Sequence, residues 1–286
     1  MVGRLVLIVV LVVGWSQACF VEAHAADEGV PPYAISGRIV TEDGAQRGWV
    51  VVNRNDGSIM DICNHESEVP QSAIRIRYPG YIFPGLIDTH NHCHYNSIPL
   101  WRPGVLYNNR YEWRASQENA DAVKAPYGAL VAAGHTQRSL KYGEIRALIG
   151  GTTMFQGSGA AYHGYLARNL NRDYWGAESY VDDITQVDPI TAYQAKAGLL
   201  FGAINRLFLH VAEGKRSDPR SQLEFPFLET APTTPPPFYP PLGPGLAVPG
   251  VVIIHGVALT PGNFQTMAQN GMFLVWSPKS NLTLYG

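Results

Sequence analysis

Two different patterns of apolar and polar residues divide the chain. In residues 33–78, short apolar runs alternate with polar positions, and Asp43-Gly44 and Asp56-Gly57 supply turns between them. This pattern predicts strands joined by tight turns. We therefore expect a small antiparallel β module over residues 26–79, the N-terminal half of a β-sandwich.

From residue 80 onward, short apolar runs alternate with stretches that can form helices. This alternation is typical of buried parallel strands separated by helices. We therefore predict an α/β fold over residues 80–286, either a TIM-like (β/α)8 barrel or a doubly wound sheet. The segments that carry this prediction are 81–89, 142–148, 152–155, 192–204, 207–211, 251–255, 264–269 and 272–276.

Residues 231–250 interrupt this alternation because they contain eight prolines. Proline removes a backbone donor and breaks helices, so the segment is expected to be a long extended loop. Two arrangements are open, one ordered over the mouth of a barrel and one simply solvated. The sequence favours the solvated arrangement.

The first 25 residues have the pattern of a secretory signal peptide. Arg4 gives a positive start, residues 5–14 are apolar, and Ala25 ends a cleavage site of small residues. We expect cleavage to leave a secreted or periplasmic protein with no stable membrane span. The alternatives are an uncleaved membrane anchor and, from Cys19, a lipoprotein.

Composition excludes several classes of function. The chain has 21 Lys+Arg against 23 Asp+Glu and no basic stripe, which argues against nucleic-acid binding. With 46% hydrophobic residues it is not a disordered chain. Removal of the signal leaves Cys63 and Cys93, which are too few for a disulfide scaffold and whose pairing cannot be read from sequence. We expect a small-molecule partner, and the sequence is compatible with a homo-oligomer.

Histidines stand at the ends of three predicted strands. His90 and His92 are two positions apart at the end of the run 81–89, and side chains two apart on a strand point the same way. His210 and His255 end two later apolar runs. The carboxyl ends of barrel strands meet at one mouth. Neutral imidazoles that converge there suit a divalent transition metal.

These residues resemble the metal-dependent amidohydrolase superfamily, in its cytosine deaminase and chlorohydrolase-like branch. Residues 84–92 read Pro-Gly-Leu-Ile-Asp-Thr-His-Asn-His, which is similar to the family's first-strand motif. His210 and His255 match the histidines that end the fifth and sixth strands. The spacing from His210 to Glu213 and the sequence Trp-Ser-Pro-Lys-Ser-Asn-Leu at 276–282 are similar to that branch.

The resemblance implies site roles as well as a TIM-like barrel. The residues that would ligate one divalent metal, zinc first and iron second, are His90, His92 and His210. His255 would contact the metal-activated water or the substrate, and Glu213 would carry the proton. Ser280 and Asn281 would bind substrate. The alternatives are that Glu213 is an exposed loop acid and that Ser280 and Asn281 form an ordinary turn.

The chain departs from the family after its seventh-strand motif. Family members have an aspartate at the end of an eighth barrel strand, and no residue before Gly286 matches it. A seven-stranded barrel would have two open edges, which natural sheets avoid. We therefore expect an incomplete barrel that lacks its eighth strand. A fragment of a longer enzyme, a truncated reading frame and a piece completed by another chain are the three explanations that stay open.

Three functions follow from these expectations. The leading one is a metal-dependent hydrolase of non-peptide carbon–nitrogen bonds, either a cyclic amide or amidine hydrolase or a deaminase. The second is a metal-dependent hydrolase of another bond, such as a carbon–halogen bond. The third is a catalytically inactive metal-binding fragment.

Overall fold

The computed structural model describes residues 30–157, 166–170, 177–178 and 183–286. The chain divides into two compact units, Met1–Pro84 and Gly85–Gly286. The predicted signal peptide lies outside the described residues. No helix within the described ranges is long and apolar enough to cross a membrane.

The first unit contains a four-stranded mixed sheet in the order β3-β2-β1-β4. Its strands are β1 (Tyr33–Thr41), β2 (Gly44–Val52), β3 (Ile59–Cys63) and β4 (Ile74–Ile82). The pairs β1–β2 and β2–β3 are antiparallel, but β4 runs parallel to β1, so the prediction of a wholly antiparallel module is wrong. The reason is that the chain crosses from one edge of the sheet to the other before β4, and parallel strands need such a crossover. A second sandwich layer is not among the described residues of this unit.

The end of β4 differs from the predicted boundary at residue 79. Tyr81 pairs with Arg38 and Ile82 pairs with Ile39, so both residues belong to the first unit's sheet. The apolar run that starts at Tyr81 was expected to form a single barrel strand. It is instead divided between β4 and the next strand because Pro84 and its glycine neighbour interrupt it.

The second unit is an α/β structure with two parallel sheets. Its strands are β5 (Leu86–Asp88), β6 (Thr152–Phe155), β7 (Arg168–Asn169), β8 (Ala177–Glu178), β9 (Arg206–Val211), β10 (Val251–His255) and β11 (Phe273–Val275). Their orders are β5-β6-β7 and β11-β10-β9-β8, and every pair is parallel. The predicted α/β class is therefore confirmed. Neighbours in each sheet are also neighbours in sequence, as in a barrel wall.

Helices connect these strands. They are α1 (Arg110–Ala115), α2 (Gln117–Asn119), α3 (Ala125–Ala132), α4 (Thr136–Ile149), α5 (Pro189–Leu200), α6 (Pro219–Thr230), α7 (Pro261–Gln269) and α8 (Pro278–Tyr285). A π-helical turn, Ala120–Lys124, joins α2 to α3, and a 3₁₀ turn, Cys93–Ser97, follows β5. The helices α5, α6, α7 and α8 each have proline in the first turn, where its missing N–H costs no intrahelical bond.

The alternation of side chains along β9 directs one histidine away from the main core. Leu207 and Leu209 are buried in the cluster that includes residues of α5, α6 and α7. Phe208 packs on the other face, with Ile254 of β10. His210 is two positions beyond Phe208 and therefore shares its face.

The last residue of β10 has a left-handed backbone. His255 has φ +73°, a conformation uncommon outside glycine. Strict alternation would place its side chain with Ile253 in the main core. The positive φ turns it instead toward His210, with 5.3 Å between the ring centroids. Such a conformation persists only where surrounding contacts hold it, often at a functional site.

The proline-rich segment 231–250 is extended, as predicted, but it is not simply solvated. The hydroxyl of Tyr193 donates to the carbonyl oxygen of Pro240 at 2.8 Å, and Lys196 Nζ donates to that of Gly243 at 3.1 Å. Leu246 is 1% exposed within the main core. The segment thus packs on α5 and α6 and leads into the amino end of β10, the end opposite to His255.

Candidate metal centre

The first two predicted ligands lie beyond the strand that precedes them. The strand β5 ends at Asp88, and both His90 and His92 follow in the loop, so their expected place on one strand face is wrong. Their rings nevertheless converge, with 3.2 Å between the two Nε2 atoms. The carboxylate of Asp88 supports this loop by accepting hydrogen bonds from the backbone N–H of His90 and from Asn91 Nδ2.

The third predicted ligand comes from β9. His210 Nε2 lies 3.1 Å from His90 Nε2, and the ligand atoms of the three histidines all lie within 4.8 Å of one another. Two nitrogens about 2.0–2.1 Å from one tetrahedral zinc ion would be separated by about 3.3 Å. The observed spacing therefore fits a shared divalent metal.

Hydrogen bonds on the far side of the rings direct Nε2 toward the centre. His92 Nδ1 lies 2.8 Å from the carbonyl oxygen of Gly157, which can only accept, so Nδ1 carries the proton. The lone pair of His92 is then on Nε2. His90 Nδ1 lies 2.9 Å from the hydroxyl of Ser277. Such outer hydrogen bonds are usual for histidines that bind metals.

The surroundings keep the central imidazoles neutral. Burial, with His92 and His255 close by, lowers the pKa of His90 to about 2. Burial and the same group of histidines hold the pKa of His210 well below its usual range. Metal ligation requires the neutral ring, so the site is prepared for a cation.

Behind these ligands lie His255 and an asparagine. His255 is 3% exposed, and its ring centroid is 4.9 Å from that of His90. Its Nδ1 lies 2.7 Å from Oδ1 of Asn281, which is also 3% exposed. The amide oxygen accepts this bond from Nδ1, so Nε2 lies on the other side of the ring, where it faces Glu213.

The predicted proton carrier is buried beside His255. Glu213 is 4% exposed, so it is not an exposed loop acid. Its Oε1 lies 3.6 Å from His255 Nε2 and accepts a hydrogen bond of 2.9 Å from the hydroxyl of Tyr285. A buried carboxylate next to an imidazole can exchange a proton with a group that enters the site.

One helix supplies the partners of three site residues. Ser277, Asn281 and Tyr285 are four positions apart at the start and along α8, a spacing that places them on one helix face. Their side chains contact, in that order, His90, His255 and Glu213. Sequence reasoning missed Ser277 and Tyr285, although the four-residue spacing of polar groups was a usable signal.

A buried arginine, also missed, supports the chain after β9. Arg110 is 1% exposed and donates from Nη1 to the carbonyl oxygen of His210 at 3.1 Å. Its backbone N–H donates to the carbonyl oxygen of Glu213 at 3.1 Å. Burial alone would lower the pKa of Arg110, but the carboxylate of Glu224, 3.3 Å away, acts together with Tyr111 and Glu213 to raise it. Glu224 in turn accepts from the backbone N–H of Ala212 at 2.6 Å.

An open cleft of about 990 Å³ leads to the histidines. His90 and His92 line it, together with the exposed indole of Trp276 and the hydroxyl-bearing Ser280. Asn281 is not part of the cleft lining, since its side chain lies against His255. Of the two predicted substrate-binding residues, Ser280 therefore faces the cleft, whereas Asn281 faces His255.

Comparisons with known proteins found similarity in structure. No protein-family model and no curated protein matches the sequence. An adenosine deaminase from Xanthomonas campestris with bound zinc aligns at 15% identity and TM-score 0.50, over 89% of this chain and 64% of that one. An atrazine chlorohydrolase from Arthrobacter aurescens TC1 complexed with zinc aligns at 13% identity and TM-score 0.56, over 87% of this chain and 67% of that one. A triazine hydrolase variant aligns at 13% identity and TM-score 0.53, over 88% and 67%.

These similarities establish the fold of the chain. Its α/β architecture is similar to that of the zinc-containing adenosine deaminase, the triazine hydrolase variant and the atrazine chlorohydrolase. The chain spans less than two thirds of the length of the deaminase. At this level of identity the similarity concerns the fold, and the activity is a separate question.

Proposed function

We propose that this protein is a metal-dependent hydrolase that acts on non-peptide carbon–nitrogen bonds. The observation that carries the proposal is the convergence of three imidazole Nε2 atoms, with a buried carboxylate close behind them. The proposal includes a TIM-like barrel to which the strands β5 to β11 belong.

The metal-binding residues of this proposal are His90, His92 and His210. The spacing of their Nε2 atoms supports zinc, and iron is the second choice. A divalent metal held by three protein ligands keeps an open position and brings the pKa of a bound water down to about 7.

The chain's own residues would handle protons and orientation. Glu213 takes the proton from the attacking water and delivers it to the leaving nitrogen. His255 orients the water or polarises the substrate, and Asn281 holds its ring. Ser280 contacts substrate in the cleft, whereas Asn281, proposed from sequence as a second contact, acts through His255.

We infer a small-molecule substrate and no nucleic acid, in keeping with the near-neutral net charge. The signal-like start of the chain supports secretion or a periplasmic location. The proposed function is compatible with a homo-oligomer.

Metal content and product release test this function together. The zinc-loaded chain is incubated with adenosine and guanine, and ammonia release is followed. We expect stoichiometric zinc and turnover that Glu213→Gln reduces by about 100-fold or more, the contribution typical of a positioned acid–base group. Turnover by Glu213→Gln at the rate of the unmodified chain would show that the assigned roles are wrong.

A hydrolase of carbon–halogen bonds is the second candidate, since an atrazine chlorohydrolase shares the fold. Chloride release from atrazine, without ammonia release from the purines, would favour it. Stoichiometric zinc with no turnover of any of the three compounds would favour a metal-binding protein without catalysis.

A further inference from the structure

The side chain of Tyr285 joins Glu213 to an indole. The hydroxyl of Tyr285 lies 2.9 Å from Glu213 Oε1 and 2.8 Å from Trp113 Nε1. Tyr285 is 4% exposed, and its ring packs in an apolar cluster with Leu284 and Trp113. The three polar atoms therefore form a short chain of hydrogen bonds shielded from water.

The direction of these hydrogen bonds is fixed by chemistry. An indole N–H can only donate, so the oxygen of Tyr285 accepts from Trp113. The single proton of the phenol is then directed to Glu213 Oε1. Burial, and next the charge of Glu213, raise the pKa of Tyr285, so it remains a neutral phenol that can donate.

The two carboxylate oxygens of Glu213 have different surroundings. Oε1 faces both the hydroxyl of Tyr285 and Nε2 of His255. Oε2 has no hydrogen-bond partner within the part of the chain that the structure describes. One oxygen is anchored by Tyr285, and the other has no such hydrogen bond.

We propose that Tyr285 is a positioning residue that fixes Oε1 of Glu213 and leaves Oε2 to exchange the proton. This inference rests on the proposed function, because it assigns a task to each oxygen of the proposed proton carrier. Trp113 acts one step further out, since it orients the phenol. Neither residue contacts the reacting atoms.

The test replaces the phenol without changing the ring. Tyr285→Phe removes only the hydroxyl, and Trp113→Phe removes the donor at the other end if the first variant fails to fold. Tyr193→Phe is a matched control, because Tyr193 is 2% exposed and its hydroxyl donates to the carbonyl oxygen of Pro240 in the proline-rich segment.

The first readout is the position of Glu213 in crystals of the zinc-loaded full chain. We expect Tyr285→Phe to release the carboxylate, so that Oε1 leaves His255 Nε2 or occupies several positions. The control should leave this contact at its original distance. A Glu213 side chain that stays in place in Tyr285→Phe would overturn the proposal, whether or not a substrate is available.

The second readout is turnover of whichever of adenosine, guanine or atrazine the chain converts. We expect Tyr285→Phe to lower kcat about 10- to 100-fold with KM and zinc content unchanged, since small misplacements of a catalytic group cost rates of this order. In the Glu213→Gln variant, the further change Tyr285→Phe should leave kcat almost unchanged. A kcat equal to that of the Tyr193→Phe control would contradict the inference.

The Glu213→Gln and Tyr285→Phe variants distinguish failure of the proposed function from failure of the positioning role. If Glu213→Gln is fully active, the proposed function fails at its proton carrier. If Glu213→Gln is inactive while Tyr285→Phe is unaffected in both kcat and geometry, only the positioning role fails.

Discussion

The hydroxyl of Ser277 lies 2.9 Å from Nδ1 of His90, across 187 positions of sequence. This bond ties the start of α8 to the loop that follows β5. It also selects which nitrogen of His90 faces the metal centre. The family-like sequence at residues 276–282 thus contains a residue, Ser277, that contacts His90 directly.

We expect Ser277→Ala to weaken zinc binding. Loss of an outer hydrogen bond to a ligating histidine commonly costs 10- to 100-fold in metal affinity, so a loss of about that size is expected. Competition with a chromogenic chelator measures it. Ser280→Ala is the control, because its hydroxyl donates to the carbonyl oxygen of Ser277 and contacts no histidine. Equal affinities for the two variants would contradict this role.

Replacing one of the three histidine ligands should prevent the chain from retaining one equivalent of zinc. In His90→Asn the central Nε2 disappears, and the two remaining imidazoles cannot form a three-ligand site. Atomic absorption after dialysis measures the zinc retained per chain. His65→Asn, at an exposed histidine of the first unit, should retain a full equivalent. One equivalent bound by His90→Asn would show that the ligands lie elsewhere.

Replacing a glycine with alanine should change the free energy of unfolding in opposite directions at Gly143 and Gly128. A Cβ at Gly143 of α4 would collide with the carbonyl oxygen and Sγ of Cys93, in the turn just after His92. A Cβ at Gly128 of α3 would meet nothing within 4 Å. Gly128→Ala should therefore add about 1 kcal/mol to the free energy of unfolding through helix propensity. Gly143→Ala should reduce it, as urea denaturation would show, and a gain for both would contradict the packing described.

The metal-free protein should lose stability as the pH falls below about 6.5, the ordinary pKa of histidine. His90 has a pKa of about 2 in the folded state, so only the unfolded state takes up a proton as the pH falls from 6.5 toward 5. This uptake lowers the free energy of unfolding by up to about 1.4 kcal/mol per pH unit for each such group. Urea denaturation with a chelator present, between pH 7.5 and 5, measures the slope. In His90→Asn the slope should be shallower, and an unchanged slope would contradict a neutral His90.

Arg110 should stabilise the folded protein mainly through its ion pair with Glu224. Arg110→Met leaves the carboxylate of Glu224 buried without its cation, which should cost about 3–5 kcal/mol of unfolding free energy. The double variant Arg110→Met with Glu224→Gln should recover part of that loss. Arg206→Met, at an exposed position of β9, is the control and should have little effect. Full stability of Arg110→Met in urea denaturation would contradict the ion pair.

Apolar runs made much of the second unit predictable. The strands β9 and β10 lie where continuous apolar residues predicted them, because buried parallel strands contain few polar positions. His210 and His255 could be located because each stands at the carboxyl end of such a run. The three-residue strand β5 ends too early for the same argument to place His90 and His92, which the loop brings together instead.

Long-range partners could not be predicted in this way. Tyr285 is 72 positions from Glu213, and neither residue carries a local pattern that indicates the other. The parallel pairing of β4 depends on which edge of the sheet the chain reaches, which local alternation does not encode. The left-handed backbone of His255 is likewise held by its surroundings, since the sequence there reads as ordinary strand.

The single face of α8 that holds Ser277, Asn281 and Tyr285 has a consequence for folding kinetics. All three hydrogen bonds form when this one helix docks, and two of them close stretches of 187 and 72 positions. Contacts of such high sequence separation form slowly, because loop-closure entropy is lost before they are made. Zinc capture should therefore follow, and report, the last cooperative step of folding.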